Sequence, residues 1–410
     1  MKKLIDRPQY LAQLIGHKDV DLVKIITGIR RCGKSSLLDL FHLYLLETGV
    51  SDGHIIHLNL ESMKYRNLTD YVAFYDFVAS QIQDGQRTYL MFDELQNVEH
   101  WEKAIESFRL DFDVDIYITG SNAYLLSSEF STLLSGRYVE IRVFPLSFAE
   151  FLTFNTWEDS ISIEEKFQKY LQFGGMPILS EYHFDETRCN QALEGIYSTI
   201  ILRDIMQRNS QINQNTLQRI TLFLCSNIGN ITSPNNMGNV LSSDGAIESS
   251  RQALTRNTVE RYITLLKNAF LFIQVNRYDV KGKQLLKTLE KDYIIDLGFR
   301  NLLLGYRDVD RGHMLENVVY LELMRRGYRV YIGKVGTAEV DFIAEKPNEK
   351  KYIQVTESLL SEDVRDRELR PLHAIHDHYE KIVLSMDRSF INSEDGIKLI
   401  NLIDWLLENN

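Results

Sequence analysis

The octapeptide Gly28-Ile29-Arg30-Arg31-Cys32-Gly33-Lys34-Ser35 constrains what this chain can fold into more than any other segment. It satisfies GxxxxGK(S/T) at every defined position. An apolar, β-prone run, Val23–Thr27, leads into it, and the helical pattern SSLLDLFHLYLL leads out. Glycines let successive backbone N–H groups turn inward around an anion, and the following helix points the positive end of its dipole at the same spot. The segment therefore predicts a phosphate cradle built from Gly28, Arg30, Arg31, Cys32, Gly33, Lys34, Ser35 and Ser36. Lys34 would reach the β- and γ-phosphates of ATP, and the Ser35 hydroxyl would ligate Mg²⁺.

The surroundings read as an α/β domain. Further strands are expected at His54–Leu60, Thr88–Phe92, Asp115–Thr119 and Val139–Phe144, with helices beginning near Lys34, Asp70 and Glu99. Several of these strands are almost continuous apolar runs, as expected of a parallel sheet covered by helices on both faces. Tyr89-Leu90-Met91-Phe92-Asp93-Glu94 supplies the second element that phosphoryl chemistry needs. Four apolar residues bury the strand, Asp93 at its end suits the magnesium shell, and Glu94 suits polarisation of an attacking water. The next strand ends Thr119-Gly120-Ser121-Asn122 and would lie beside the Asp93 strand, bringing a small polar side chain near the γ-phosphate. An ordinary Asx or Ser turn explains the same residues equally well. Arg137, in Ser135-Gly136-Arg137, follows a helical pattern and precedes a strand. It is either an arginine finger or an exposed surface residue.

GIRRCGKSSLL, LMFDELQNVEHWE, IYITGSNAYLL and LSGRYVEIRVFPLSFAEFL together resemble the AAA-type ATPases of bacteria and archaea that carry a C-terminal region of unknown function. GGMPILSEY, LEKDYIIDLGFRNLLLG, LENVVYLELMRRGYRVYIGK and EVDFIAEK resemble that C-terminal region. The resemblance covers most of the chain. It implies Mg²⁺-dependent ATP binding and hydrolysis, with Ser121 or Asn122 as γ-phosphate sensor and Arg137 as finger. A finger acting in trans would require a homo-oligomer; one acting in cis would not.

Beyond the first domain, expected over 1–155, the pattern turns helical (156–212) and is broken by Gly174-Gly175-Met176-Pro177. Over 213–305 a helix near 215–228, a polar turn SPNNMGNVLSSDGA, the helix Asn257–Phe270 and the strand pair Leu271–Tyr278 and Gln284–Leu289 read as a winged helix. Arg261 and Lys267 on the helix, with Lys281, Lys283 and Lys287 on the wing, are candidate contacts to the phosphates of double-stranded or branched DNA. Winged helices also dock proteins, and a charged face is often only solvated.

Over 306–410 the order helix 313–326, strands near 328–332, 338–344 and 351–356, helix 366–379 and strand 381–386 looks like a restriction-endonuclease-like core. Active members place a helix Glu, a strand Asp and an (E/Q)xK element around Mg²⁺. The matching positions are Glu316, Asp341 and Gln354, but Thr356 stands where the lysine belongs. A degenerate, non-cleaving site fits better than a nuclease. Structural ion pairs of these carboxylates with Arg325 or Arg326 are a further reading. The run IKLINLIDWLLENN is expected to be a packed amphipathic terminal helix.

Composition bounds the rest. The net charge of −11 argues against a protein that coats nucleic acid through bulk charge, yet it averages over unlike regions. Residues 251–300 carry ten Lys and Arg against five Asp and Glu, whereas residues 361–410 carry six against eleven. Asp6, Arg7 and Gln9 interrupt any apolar leader, and no stretch approaches the roughly 18 apolar residues of a membrane span. Cys32, Cys189 and Cys225 are too widely spaced for a zinc motif or a disulfide framework, so a reducing cytoplasm is expected. Three functions remain: an ATPase serving a DNA-associated or conformational task, an ATP-dependent nuclease, and a signal-transducing ATPase acting through protein partners.

Overall fold

In the computed structural model, which describes residues 4–126, 136–209, 211–243, 254–307, 310–388 and 392–408, all five expected N-terminal runs are strands. They are β1 (Val23–Thr27), β2 (Ile55–Asn59), β3 (Thr88–Asp93), β4 (Val114–Gly120) and β5 (Tyr138–Arg142). Among the described residues, helix α1 (Pro8–Gly16) precedes β1, and α2 (Lys34–Glu47), α3 (Tyr71–Ala79) and α4 (Trp101–Asp111) lie between the strands. The strands form one parallel sheet in the order β2-β3-β4-β1-β5, so β4 sits between the strand that enters the phosphate loop and the strand that ends in Asp93. Strands β1 and β3 are buried along their whole length, as their largely apolar composition favours, and the one charge within β1, Lys24, is met by Asp115. One core beneath the sheet gathers Ile25, Phe92, Ile116, Phe74 and Phe108, with the Phe74 and Phe92 rings edge to face at 4.9 Å. Each such fully buried side chain contributes about 1.5–3 kcal/mol, and together they hold the strand ends in register.

The chain divides into two compact units. One runs to Pro145 and takes in Asn268–Phe270; the other holds Leu146–Lys267 and the residues from Leu271 on. The second unit begins with helices α5 (Phe148–Phe154), α6 (Ile163–Phe173) and α7 (Glu186–Thr199), the last continuing into a π-helical segment, Ile200–Met206. There follow α8 (Gln214–Ser226), β6 (Ile231–Thr232), α9 (Pro234–Ser243), α10 (Arg256–Asn268), β7 (Phe272–Asp279), β8 (Gln284–Ile294) and α11 (Leu297–Leu304). The polar stretch read as a long turn thus forms α9 over its first part, and residues 244–253 lie outside the described ones. Next come α12 (Arg311–Arg325), β9 (Arg329–Val335), β10 (Ala338–Lys346), β11 (Glu349–Val355), α13 (Glu362–His373), β12 (Glu380–Ser385), β13 (Ser393–Glu394), β14 (Ile397–Asn401) and α14 (Leu402–Leu407).

These strands make a single mixed sheet, β13-β14-β12-β11-β10-β9-β7-β8-β6. The β7–β8 hairpin joins it through parallel pairing of Arg277–Asp279 with Ile332–Lys334, so the sheet spans the boundary expected near 305. The terminal segment is not one helix. Ile397–Asn401 pairs in parallel with β12, and Asn401 then caps a short helix by accepting the Asp404 N–H at 3.2 Å. Strand pairing wins there because it satisfies the open edge of β12, which an amphipathic helix cannot do. Helix α13 starts earlier than expected, at Glu362-Asp363, whose charges favour a helix amino end. Among the described residues no helix is long and apolar enough to cross a membrane.

The glycine break and the DLGFRN run meet at Asp296. Its carboxylate accepts the Gly175 N–H at 2.6 Å and the Gly298 N–H at 2.9 Å. A Cβ on Gly174 would lie 2.0 Å from Asp296 Oδ1, one on Gly175 2.4 Å from the Leu146 carbonyl, and one on Gly298 2.3 Å from the Phe173 carbonyl. Asn301 completes the joint by donating to the Leu171 and Gln172 carbonyls at the end of α6. These motifs are therefore explained by close backbone packing. Burial pushes the Asp296 pKa up to about 7, so ionising it weakens the folded state as pH rises through neutrality. At pH 6, below that pKa, Asp296→Ala is expected to cost about 3 kcal/mol or more, because it leaves two buried N–H groups unpaired. Calorimetry should then show melting lowered by roughly 5–10 °C, and a change under about 2 °C would sink this account.

Candidate nucleotide site

Strand β1 delivers the chain to the phosphate loop, and the loop's shape follows from three unusual backbone positions. Gly28 has φ +145°, Gly33 φ +109°, and Arg31 is left-handed at φ 65°. At Gly28 no side chain fits, since a Cβ would lie 2.2 Å from the Val143 carbonyl. Cys32 is fully buried behind the loop, its thiol donating to that same carbonyl at 3.4 Å. Burial raises its pKa and keeps it a neutral packing group. Lys34 begins α2 and is itself buried, its ammonium donating to the Gly28 and Ile29 carbonyls at 2.9 and 3.2 Å. Arg30 pairs with Glu61 at 3.1 Å, while Ser35 and Ser36 occupy the first turn of α2.

The carboxylates stand at the carboxyl ends of the neighbouring strands. Asp93 is buried and accepts hydrogen bonds from Asn59 Nδ2 at 3.0 Å, from the Thr119 hydroxyl, and from Ser35. Burial raises its pKa, against the opposing effect of those hydroxyl donors and of Lys34. Ser35 and Asp93 are thus in contact, two oxygen donors of the kind Mg²⁺ takes beside phosphates and water. That donor set fits the ion. Glu94 follows at φ 55°, a strained conformation for a residue with a side chain. Its N–H donates to Thr119 Oγ1 at 3.0 Å, and its Oε2 accepts from Gln96 and, at 3.2 Å, from Ser121. Ser121 and Asn122 are both buried. Lys34, Ser35, Asp93, Glu94 and Ser121 therefore converge.

Thr119 links the two acids by donating to one and accepting from the other's backbone, a role not apparent in the sequence. Neither were those of Asn59, paired in register with Asp93, or Gln96. For Thr119 the signal was its place at the end of a strand expected beside Asp93.

Arg137 is not brought to this cluster. It is exposed, and its carbonyl accepts the Val23 N–H at 3.0 Å, at the amino end of β1. One strand length, about 16 Å, separates that end from the phosphate loop. The helical pattern expected before it, 127–135, lies outside the described residues.

In the second unit Glu316 (α12), Asp341 (β10) and Gln354 (β11) come together in a buried polar cluster, but their partners differ from expectation. Glu316 pairs with Lys291 of β8 at 3.0 Å and accepts the Tyr293 hydroxyl; Lys291 also meets Glu339 at 2.7 Å. Asp341 accepts the Val355 N–H at 2.8 Å, and Gln354 donates to Glu368 at 2.7 Å. Arg325 and Arg326 pair instead with Glu322. Among the described residues no three His, Cys, Asp or Glu side chains are arranged to hold a metal. Arg261, Lys281 and Lys283 are exposed, whereas Lys267 is engaged by Gln274, and the Lys287 side chain lies outside the described residues.

Comparison with known proteins bears on both units. A family model described as an AAA domain matches residues 21–152, and one described as a domain of unknown function (DUF8612) matches 164–310. An uncharacterized protein of Haemophilus influenzae is 39% identical over 409 residues, covering 99% of this chain and 100% of that one. An uncharacterized protein of Methanocaldococcus jannaschii is 27% identical over 401 residues, covering 93% and 85%. Among solved structures, a Walker-type ATPase of Pyrococcus abyssi superposes with a TM-score of 0.52 at 15% identity, over 73% of this chain and 95% of that one. That likeness is one of fold.

Proposed function

Since this chain belongs to the family of AAA-type P-loop ATPases, we propose that it hydrolyses ATP with Mg²⁺ at the loop 28–35 and couples turnover to a DNA-associated or conformational task. The observation that carries the reading is the convergence of Lys34, Ser35, Asp93, Glu94 and Ser121 at the carboxyl ends of β1, β3 and β4. Loop amides and Lys34 hold the phosphates. Ser35 and Asp93 would hold Mg²⁺, which neutralises phosphate charge when bound. Glu94, steadied by Gln96 and Ser121, accepts a proton from the attacking water. Ser121 or Asn122 senses the γ-phosphate. Arg137, far from its own loop, supports an arginine finger acting in trans, hence a homo-oligomer during turnover.

The order α8–β6–α9–α10–β7–β8, with β6 paired to β8, supports a winged helix. Exposed Arg261, Lys281 and Lys283 support contact with duplex DNA. The C-terminal cluster supports a non-cleaving role: Thr356 holds the lysine position and Lys291 is committed to Glu316 and Glu339. Three buried free thiols support a cytoplasmic setting.

Wild-type protein should turn over MgATP, and Lys34→Ala should weaken ATP binding about tenfold to a hundredfold. Duplex DNA should bind at low salt, and joint replacement of Arg261, Lys281 and Lys283 by Ala should weaken it and flatten its salt dependence. Absence of duplex binding at low salt would move the reading to partner proteins.

A further inference from the structure

The amino-terminal residues before β1 contain a buried cation behind the phosphate loop. Arg7 is only 3% exposed. Its Nη1 donates to the Cys32 carbonyl and its Nη2 to the Phe144 carbonyl, both at 3.0 Å. The guanidinium lies 4.5 Å from the centre of the Tyr10 ring, and the Tyr10 hydroxyl accepts the Phe144 N–H at 3.2 Å. Its backbone is fixed as well: the Arg7 carbonyl accepts the Tyr10 and Leu11 N–H groups, and Pro8 opens α1 at a position where its missing N–H costs nothing. Arg7 thus ties three pieces of the first unit together: α1, the phosphate loop and the segment leaving β5.

The bond to Cys32 matters most for chemistry. In a trans peptide the C=O of one residue and the N–H of the next point in opposite directions across one plane. Fixing the Cys32 carbonyl therefore fixes the direction of the Gly33 N–H, one of the amides available to a phosphate. A cationic donor on a carbonyl also polarises the amide, making its N–H a stronger donor. The guanidinium adds positive charge behind the phosphate loop, and its planar fork aims two N–H groups in fixed directions from separate nitrogens at two carbonyls.

We propose that Arg7 is a positioning residue for nucleotide binding, setting the Cys32–Gly33 peptide so that the Gly33 N–H is presented to a phosphate shared by ATP and ADP. The inference rests on the nucleotide reading of the loop. Because that phosphate is bound equally before and during reaction, loss of Arg7 acts on affinity rather than on the chemical step.

The test compares full-length wild type, Arg7→Ala and Arg7→Lys by MgADP titration, MgATP steady-state kinetics and thermal melting. Arg7→Ala is expected to raise the ADP Kd and the ATP KM about tenfold or more, with kcat within about threefold. Arg7→Lys, reaching one carbonyl, should fall between the two. Should Arg7→Ala fail to fold, Arg7→Lys and Arg7→Gln carry the same comparison. A folded variant whose ADP Kd stays within about twofold of wild type overturns the inference, as does a fall in kcat with KM unchanged. Wild-type protein that binds neither ADP nor ATP would overturn the nucleotide reading and this inference together. Wild-type binding with an unaffected Arg7 variant would overturn this inference alone.

Discussion

Replacing Glu94 by Gln is expected to abolish ATP turnover, lowering kcat by about 10²–10⁴-fold, while nucleotide still binds. The amide has the size of the carboxylate and keeps an oxygen to accept from Gln96 or Ser121, so the pocket should hold its shape. It lacks the capacity to take a proton from water. Asp93, which contacts Ser35, is untouched, so Mg²⁺ and phosphate binding should survive. The backbone at φ 55° is anchored by the Glu94 N–H on Thr119 and does not depend on the side chain. Phosphate release and fluorescent-nucleotide binding measured on one preparation separate the two effects. A variant that hydrolyses ATP at more than about a tenth of the wild-type rate would remove Glu94 from the role of base.

The second large effect is expected in stability. Lys291→Met deletes the ammonium shared by Glu316 and Glu339 and should cost about 3–5 kcal/mol, because it strands the buried Glu316 carboxylate. Burial works against the Lys291 charge, yet Glu316, Asp341 and Glu339 hold its pKa above the ordinary lysine value. Asp341 shows the opposite condition: burial and the neighbouring Glu316 charge raise its pKa well above the carboxylate range. Without Lys291, Glu316 joins it, so the folded variant binds protons that the unfolded chain has already released. Its stability then falls as pH rises, and the loss relative to wild type is larger at pH 8 than at pH 5. Adding Glu316→Gln to Lys291→Met should recover a large part of it. Denaturant unfolding at both pH values decides this. An equal loss at pH 5 and 8, or no recovery in the double variant, would mean that Lys291 acts through packing alone.

How legible each site was depended on how local it is. The phosphate loop and the Asp93-Glu94 pair are contiguous strings whose function follows from backbone conformation and strand position, so they stand out in one dimension. Thr119 and Asn59 reach Asp93 only because parallel pairing sets the ends of β2, β3 and β4 side by side. Lys291 was missed for the same reason. The (E/Q)xK pattern places a lysine at Thr356, just past β11, whereas the cation comes from a hairpin that joins the same sheet through β7. In the sequence Arg7 reads only as an interruption of an apolar run, since nothing in its neighbours indicates that it reaches a carbonyl 25 residues away. The terminal segment failed differently: its apolar spacing suits a helix, but an unpaired sheet edge took its first half as a strand.

The amino-acid sequence by itself determined that this chain carries a P-loop ATPase sheet, which residues form its phosphate loop and its strand-end carboxylates, and that a second α/β region follows. Those properties arise from residues adjacent in the chain, where glycine conformations, strand hydrophobicity and helix dipoles act over a few bonds. Tertiary structure alone decided that Arg137 lies a strand away from its own loop, that Lys291 fills the C-terminal acidic cluster, and that Arg7 backs the phosphate cradle. Lys291 and Arg7 are buried charges whose partners are remote in sequence, so their placement is set by packing that brings distant segments together and by the cost of burying a charge unless a partner meets it there. Arg137 is exposed, and its place follows from the pairing of β5 with β1.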